Sequence, residues 1–152
     1  MTSAESANCA RRYLTKAEEY LASAQDNLDL ERATPAAGDA IHAGISAKDA
    51  IVTMLTGATS KAKDHAKSAK ELRTALGTRP GAAAAEKALR ELITMKGDVE
   101  YGTTLITLAR SEPLVRRAQT LDQSLASTSS SRLTTSRPAA SSGPSTASCV
   151  TS

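Results

Sequence analysis

Near the start of the chain, Ala10, Leu14, Ala17, Leu21, Ala24 and Leu28 recur at alternating spacings of four and three residues. This heptad seam predicts a long helix from about Ser6 to Arg32. Alternating Ala with Leu along it lets a partner backbone come close. Thr34-Pro35 reads as an N-cap followed by proline at the first helical position, so a second helix runs from Pro35 to about Thr56 and stops at Gly57. A third ends at Leu76 with Gly77 as its C-terminal glycine; it starts at Ser60 or at Asp64, since either can cap. Pro80-Gly81 opens a fourth over about Ala82–Tyr101, with Gly97 as a weak point, and 102–110 reads as irregular. Ser111, with Glu112 and Pro113 behind it, caps a fifth helix whose apolar stripe is Leu114, Ala118, Leu121 and Leu125. There is no internal repeat. The expected fold class is all-α: an up-and-down bundle of four main helices plus a shorter one.

Composition supports that class. Of 152 residues 29 are Ala and 15 Leu, with no Trp, no Phe and only three Tyr. Such a core suits closely packed helices and suits strands poorly, because strands favour aromatic and β-branched residues. The pattern fades after Ala126. From 127 to 152, 15 of 26 residues are Ser or Thr, and Leu133 and Val150 are the only sizeable aliphatics. That segment cannot bury enough apolar surface to offset its ordering entropy, so it is expected to be a disordered Ser/Thr-rich tail. The bundle is then expected to span 4–126, one domain.

Charge narrows the function classes only mildly. The net charge is +3, and two of the surplus positives, Arg132 and Arg137, fall in the tail, which has no acidic residue; the rest carries +1. This is not the clustered basic surface of a strong duplex binder. Cys9 and Cys149 make neither a disulfide framework nor a metal spacing. The start of the chain lacks an apolar leader core, and no stretch approaches the roughly 18 apolar residues of a membrane span. A reduced, cytoplasmic protein is the expectation.

Functional information lies in polar residues at positions that a bundle keeps apolar. At 100° per residue, the second helix is apolar over an arc of about 220°, and Asp39, His42, Ser46, Asp49, Thr53 and Thr56 fill a polar arc of about 100°. Lys48 falls inside the apolar arc, on the row Ile41, Ile45, Lys48, Val52, Leu55. Either its stem lies on apolar neighbours while its head reaches water, or a carboxylate holds it in a cleft. The fourth helix repeats the anomaly, since Lys96 lies on the row Ala85, Leu89, Leu92, Lys96, Val99 and Glu100 follows one turn later. Unpaired buried charges are costly, and Lys96 and Glu100 at i, i+4 can pair. Lys48, Lys96, Glu100 and Tyr101 are therefore the candidate ligand-binding residues; the alternative is a structural ion pair without a ligand.

His42, Asp49 and His65 are secondary candidates. Asp39 and His42 share the spacing of carboxylate–histidine metal pairs, but a metal site in a bundle needs several inward carboxylates; no metal is expected. His65, beside Asp64, lies on the row His65, Ala69, Leu72, Leu76 and reads as a helix-start residue. No phosphate loop, dinucleotide fingerprint or nucleophile elbow occurs, so no cofactor is implied. The run Lys61, Lys63, Lys67, Lys70, Arg73 reads as a solvated face able to meet phosphates weakly.

Three segments, 10–21, 40–51 and Lys96-Gly-Asp-Val-Glu-Tyr-Gly, together resemble the HEPN domain (higher eukaryotes and prokaryotes nucleotide-binding), over residues 8 to 126. The resemblance implies a helical bundle that commonly forms a homodimer. In active members an Arg and a His a few residues apart meet at the dimer cleft and cleave RNA; other members are inactive partners of nucleotidyltransferases, or binding modules. This sequence departs from that signature. Arg90 has no His after it, and with Lys96 at the arginine position Tyr101 stands at the histidine position. A phenol with a pKa of about 10 is a poor general base at pH 7. The resemblance therefore implies a divergent module that binds nucleotide, RNA or a partner protein without efficient catalysis. Its alternatives are a ribonuclease toxin of a toxin–antitoxin or defence system, with Lys96 and Tyr101 as altered catalytic residues, and a non-catalytic helical adaptor. No membrane partner is expected.

Overall fold

Thr2 accepts the Glu5 backbone N–H at 3.2 Å, and the Glu5 carboxylate accepts the Thr2 N–H at 2.7 Å. This reciprocal box satisfies two of the N–H groups that a helix start leaves unpaired. It sets the start of α1, Ser3–Asp29, ahead of the Ser6 expected from the seam. The computed structural model describes residues 2–60, 64–133 and 150–151, and for 65, 132, 133, 150 and 151 the backbone alone. In α1 the seam residues Ala10, Ala17, Leu21 and Ala24 are buried, and Leu14 and Leu28 pack against the core.

A tight turn joins α1 to α2, Ala33–Thr56. The N–H of Arg32 returns to the carbonyl of Asn27 at 2.8 Å across Glu31, which takes the left-handed φ of 58°. Thr34 does not cap α2, as its spacing suggested. Arg32 occupies the cap position without a side-chain hydrogen bond, and Thr34 lies inside the helix. Helix α2 ends as expected at Gly57, whose φ of 93° favours glycine. The chain then forms β1, Thr59–Ser60, and α3, His65–Leu76. Of the two expected caps for α3 the structure uses Asp64, whose carboxylate accepts the Ala66 N–H at 3.0 Å.

Helix α4 spans Ala82–Tyr101, as the pattern predicts, and passes through Gly97 unbroken. Helix α5, Leu108–Leu133, differs from expectation at both ends. Thr107 accepts the Arg110 N–H at 3.3 Å and starts the helix, while Ser111, the expected cap, lies inside it and turns its hydroxyl to the Leu108 carbonyl. At the other end the helix continues through 127–133, where a tail was expected: Leu125 and Thr128 are still buried against the bundle. The rest of the expected tail, residues 134–149, lies outside the described residues. Val150–Thr151 forms β2, parallel to β1.

Helix α2 is central and packs against the four others, which explains its wide apolar arc. Close approach depends on its small residues: a Cβ on Gly44 would stand 2.5 Å from Leu92 Cδ1 and 3.1 Å from Leu121 Cδ1. The fully buried leucines Leu72, Leu89, Leu92, Leu121 and Leu125 each contribute about 1.5–3 kcal/mol by leaving water. Among the described residues no helix is long and apolar enough to cross a membrane. Cys9, buried in α1, is disulfide-bonded. The expectation of a reduced thiol is thereby corrected at Cys9. Cys149 lies outside the described residues.

Candidate functional site

Helix α2 carries two polar groups on different faces. The first is built on Lys48, only 2 % exposed. Its Nζ donates to Thr59 Oγ1 at 2.9 Å, to Asp49 Oδ1 at 3.2 Å and to the Ser60 carbonyl at 3.3 Å, with Glu71 Oε1 3.4 Å away. The left-handed Gly57 turns the chain back so that β1 lies over the lysine, and Ser6 Oγ fastens the turn by donating to the Gly57 carbonyl at 2.8 Å. Thr59 in turn donates to Asp49 at 2.8 Å, and both the backbone and the hydroxyl of Ser60 donate to Glu71.

The two carboxylates respond in opposite directions. Burial pushes Asp49 above the usual carboxylate range, and the bonds from Lys48 and Thr59 reverse only part of it. Burial also acts to raise Glu71, but the Ser60 hydrogen bonds and the Lys48 charge outweigh it, so this carboxyl is held below its ordinary value. Burial and the charge on Asp49 together raise the Tyr13 phenol, which faces this cluster from α1. An ammonium with three protons here meets four acceptors. Nothing on Lys48 is left to act as nucleophile or to hold a ligand; the group is a clasp that joins α2, β1 and α3.

The second group lies where the start of α2 runs beside the end of α4, near the meeting of Gly38 with Val99. His42 Nε2 stands 3.2 Å from Glu100 Oε1, and its ring stacks on Tyr20 of α1 at 5.1 Å between centroids. The imidazole is 42 % exposed. Glu100 Oε1 is a buried atom without a properly directed hydrogen bond, so the contact with His42 is chiefly electrostatic and is an ion pair whenever the imidazole carries a second proton. One turn above His42, Asp39 is tied to α1 by Ser23 at 2.6 Å and Asn27 at 3.1 Å.

Lys48, Lys96, Glu100 and Tyr101 are therefore not gathered into one cluster. Lys48 lies six residues beyond His42 on α2, about 240° around and roughly 9 Å along the axis. Glu100 faces His42 instead of the Lys96 that its spacing offered, and Lys96, half-buried, makes no ion pair among the described residues. Tyr101 is 81 % exposed at the end of α4. Of the secondary candidates, His42 joins the α4 end, Asp49 joins the clasp, and His65 is the first residue of α3. Nothing in the sequence pattern marks Thr59, Ser60 and Glu71 as partners of Lys48. A lysine on an apolar row signals some buried acceptor, but the turn at Gly57 decides which ones arrive.

Among the described residues no three His, Cys, Asp or Glu side chains are placed to hold a metal ion. Asp39 and His42 turn to different neighbours, α1 and α4. Comparison with protein-family models, with curated proteins and with solved structures found no match.

Proposed function

We propose that this chain is a divergent HEPN-type helical module that binds RNA or a nucleotide at the α2/α4 end, through His42, Lys96, Glu100 and Tyr101, without efficient cleavage. The carrying observation is that an exposed aromatic ring and a lysine without an ion-pair partner share the last turns of α4 beside a half-exposed histidine. A base stacks on the Tyr101 face, and a phosphate is held by Lys96. Lys48, the remaining residue of the expected site, supports this surface only by anchoring the fold. Homodimerisation, or association with a nucleotidyltransferase-type partner, belongs to the same proposal and rests on the family resemblance; light scattering of the purified protein tests the dimer. The binding test is a salt titration with short single-stranded RNA. Lys96→Ala is expected to weaken binding and flatten its salt dependence, whereas absence of RNA and nucleotide binding by the parent chain refutes the proposal.

The His42–Glu100 contact favours a second reading, a ribonuclease with altered residues. A carboxylate 3.2 Å from Nε2 can hold the ring in place for proton transfer. His42 would take the proton of a ribose 2′-OH, the oxygen would attack phosphorus, and the P–O5′ bond would break with the 5′-oxygen taking a proton from water, giving a 2′,3′-cyclic phosphate. Cyclic-phosphate products that vanish in His42→Ala but persist in His65→Ala would establish this reading over simple binding.

A further inference from the structure

We propose a second ligand site in the groove between the end of α2, β1 and α3, fitted to a phosphate ester that carries a flat heterocycle. The site is separate from the α2/α4 surface, and neither depends on the other. The groove is open to solvent and holds about 460 Å³, inside the size range of small-molecule sites. Val52, Ala58 and Ala75 line it with small apolar surface, and Lys67 and Lys70 stand on its α3 side.

Charge selects the ligand. Lys67 and Lys70 are exposed, one turn apart, and neither makes an ion pair or hydrogen bond among the described residues. Their neighbours on α3 are already committed: Arg73 faces Glu86 at 3.9 Å, and Glu71 is held by Ser60 and Lys48. Of the charged residues that line the groove, Lys67 and Lys70 are cations, and the one carboxylate, Glu71, is turned inward to the buried Lys48. The surplus is positive and sits on the two groups free to move. Two ammonium groups at i, i+3 on one helix face can close on a single phosphate.

A bare phosphate would leave the apolar floor wet. A flat ring laid over Ala58 and Ala75 removes that surface from water, and Thr74 also lines the groove, with a hydroxyl for its polar substituents. The shared chemistry is a nucleobase joined to a phosphate, from a free 5′-mononucleotide or from one residue of an RNA strand.

The test is an NMR titration of the full chain, following backbone amides, with four probes: adenosine 5′-monophosphate, adenosine, inorganic phosphate and a short oligoadenylate. The mononucleotide is expected to shift amides at Thr56, Ala58, Lys67, Lys70 and Thr74. The Lys67→Gln/Lys70→Gln double variant is expected to raise its Kd at least tenfold with no change in melting temperature, because both side chains are exposed. Lys87→Gln, an exposed lysine of α4 away from the groove, is expected to leave the Kd unchanged. Groove shifts from the oligomer alone would support the site and assign the source to RNA. An equal response to inorganic phosphate overturns the heterocycle, and an unaltered Kd in the double variant overturns the site. Shifts confined to Lys96, Glu100 and Tyr101 overturn the groove while leaving the α2/α4 proposal standing.

Discussion

Lys48 and His42 sit six residues apart on one helix, and both interrupt the packing of a bundle, yet their surroundings are opposites. Around Lys48 each donor has an acceptor, the head group is out of water, and three elements close over it. Around His42 the ring is half in water, its acidic neighbour lacks a directed hydrogen bond, and the adjoining Lys96 and Tyr101 are uncommitted. A buried charge is therefore not by itself a functional signal. Where the hydrogen bonds are all made, the group holds the fold together; where some are left over and water can reach them, there is capacity for a ligand.

Substitution at Lys48 should separate the two regions most widely. Lys48→Met leaves Asp49 and Glu71 facing each other without a counter-charge, and removing one partner of a buried pair costs about 3–5 kcal/mol. Chemical denaturation should show that loss. Adding Asp49→Asn and Glu71→Gln should recover much of it, because the stranded charges are then gone. A loss below about 1 kcal/mol in the single variant would mean that Lys48 is not a clasp.

Glu71→Gln tests the same cluster through pH. It removes acceptors for Ser60 and Lys48, at a cost of about 1–3 kcal/mol near neutrality. The Glu71 carboxyl titrates lower in the folded chain than in the unfolded one, so its contribution is complete above the ordinary glutamate range and drains as the pH falls through the folded value. Asp49, raised by burial, runs the other way: its cost is present at neutral pH and is relieved as the pH falls through the raised value. The parent chain should therefore lose more stability on acidification than Glu71→Gln does. Parallel stability–pH curves for the two proteins would contradict the assignment.

His42→Ala should cost under about 1 kcal/mol of stability, chiefly the stacking on Tyr20. Its effect should appear in RNA binding or cleavage. A large thermal destabilisation with unchanged RNA response would make the α2/α4 group a second clasp and erase the contrast with Lys48.

Much of the fold is legible in the sequence, because helical periodicity and glycine stops are local signals. Helix α4 and the Gly57 and Gly77 stops follow from them directly. The misplaced starts share one cause. Thr34 and Ser111 have the chemistry of caps, but each helix starts ahead of them, α2 at Ala33 and α5 at Leu108 behind the hydroxyl of Thr107. The site is legible only in part. Local periodicity shows that Lys48 and Lys96 are out of place, but which acid meets which base depends on turns and on how α4 aligns with α2. That alignment gave Glu100 to His42 and left Lys96 open.

Tyr101→Ala should have the smallest effect on the fold and the clearest consequence for function. With 81 % of its surface in water, the ring has little burial to lose, and exposed substitutions away from caps and networks stay within about 0.5 kcal/mol. Base stacking on such a ring contributes about 1–3 kcal/mol to binding, so the variant should melt with the parent chain yet bind single-stranded RNA roughly fivefold or more weakly. Tyr101→Phe keeps the stacking face and discards the hydroxyl. If the site binds by stacking, Phe should retain the affinity; if the hydroxyl shuttles a proton, Phe should bind normally and fail to cleave. Equal RNA affinity in all three proteins would remove Tyr101 from the site and leave Lys96 and His42 to carry the open region.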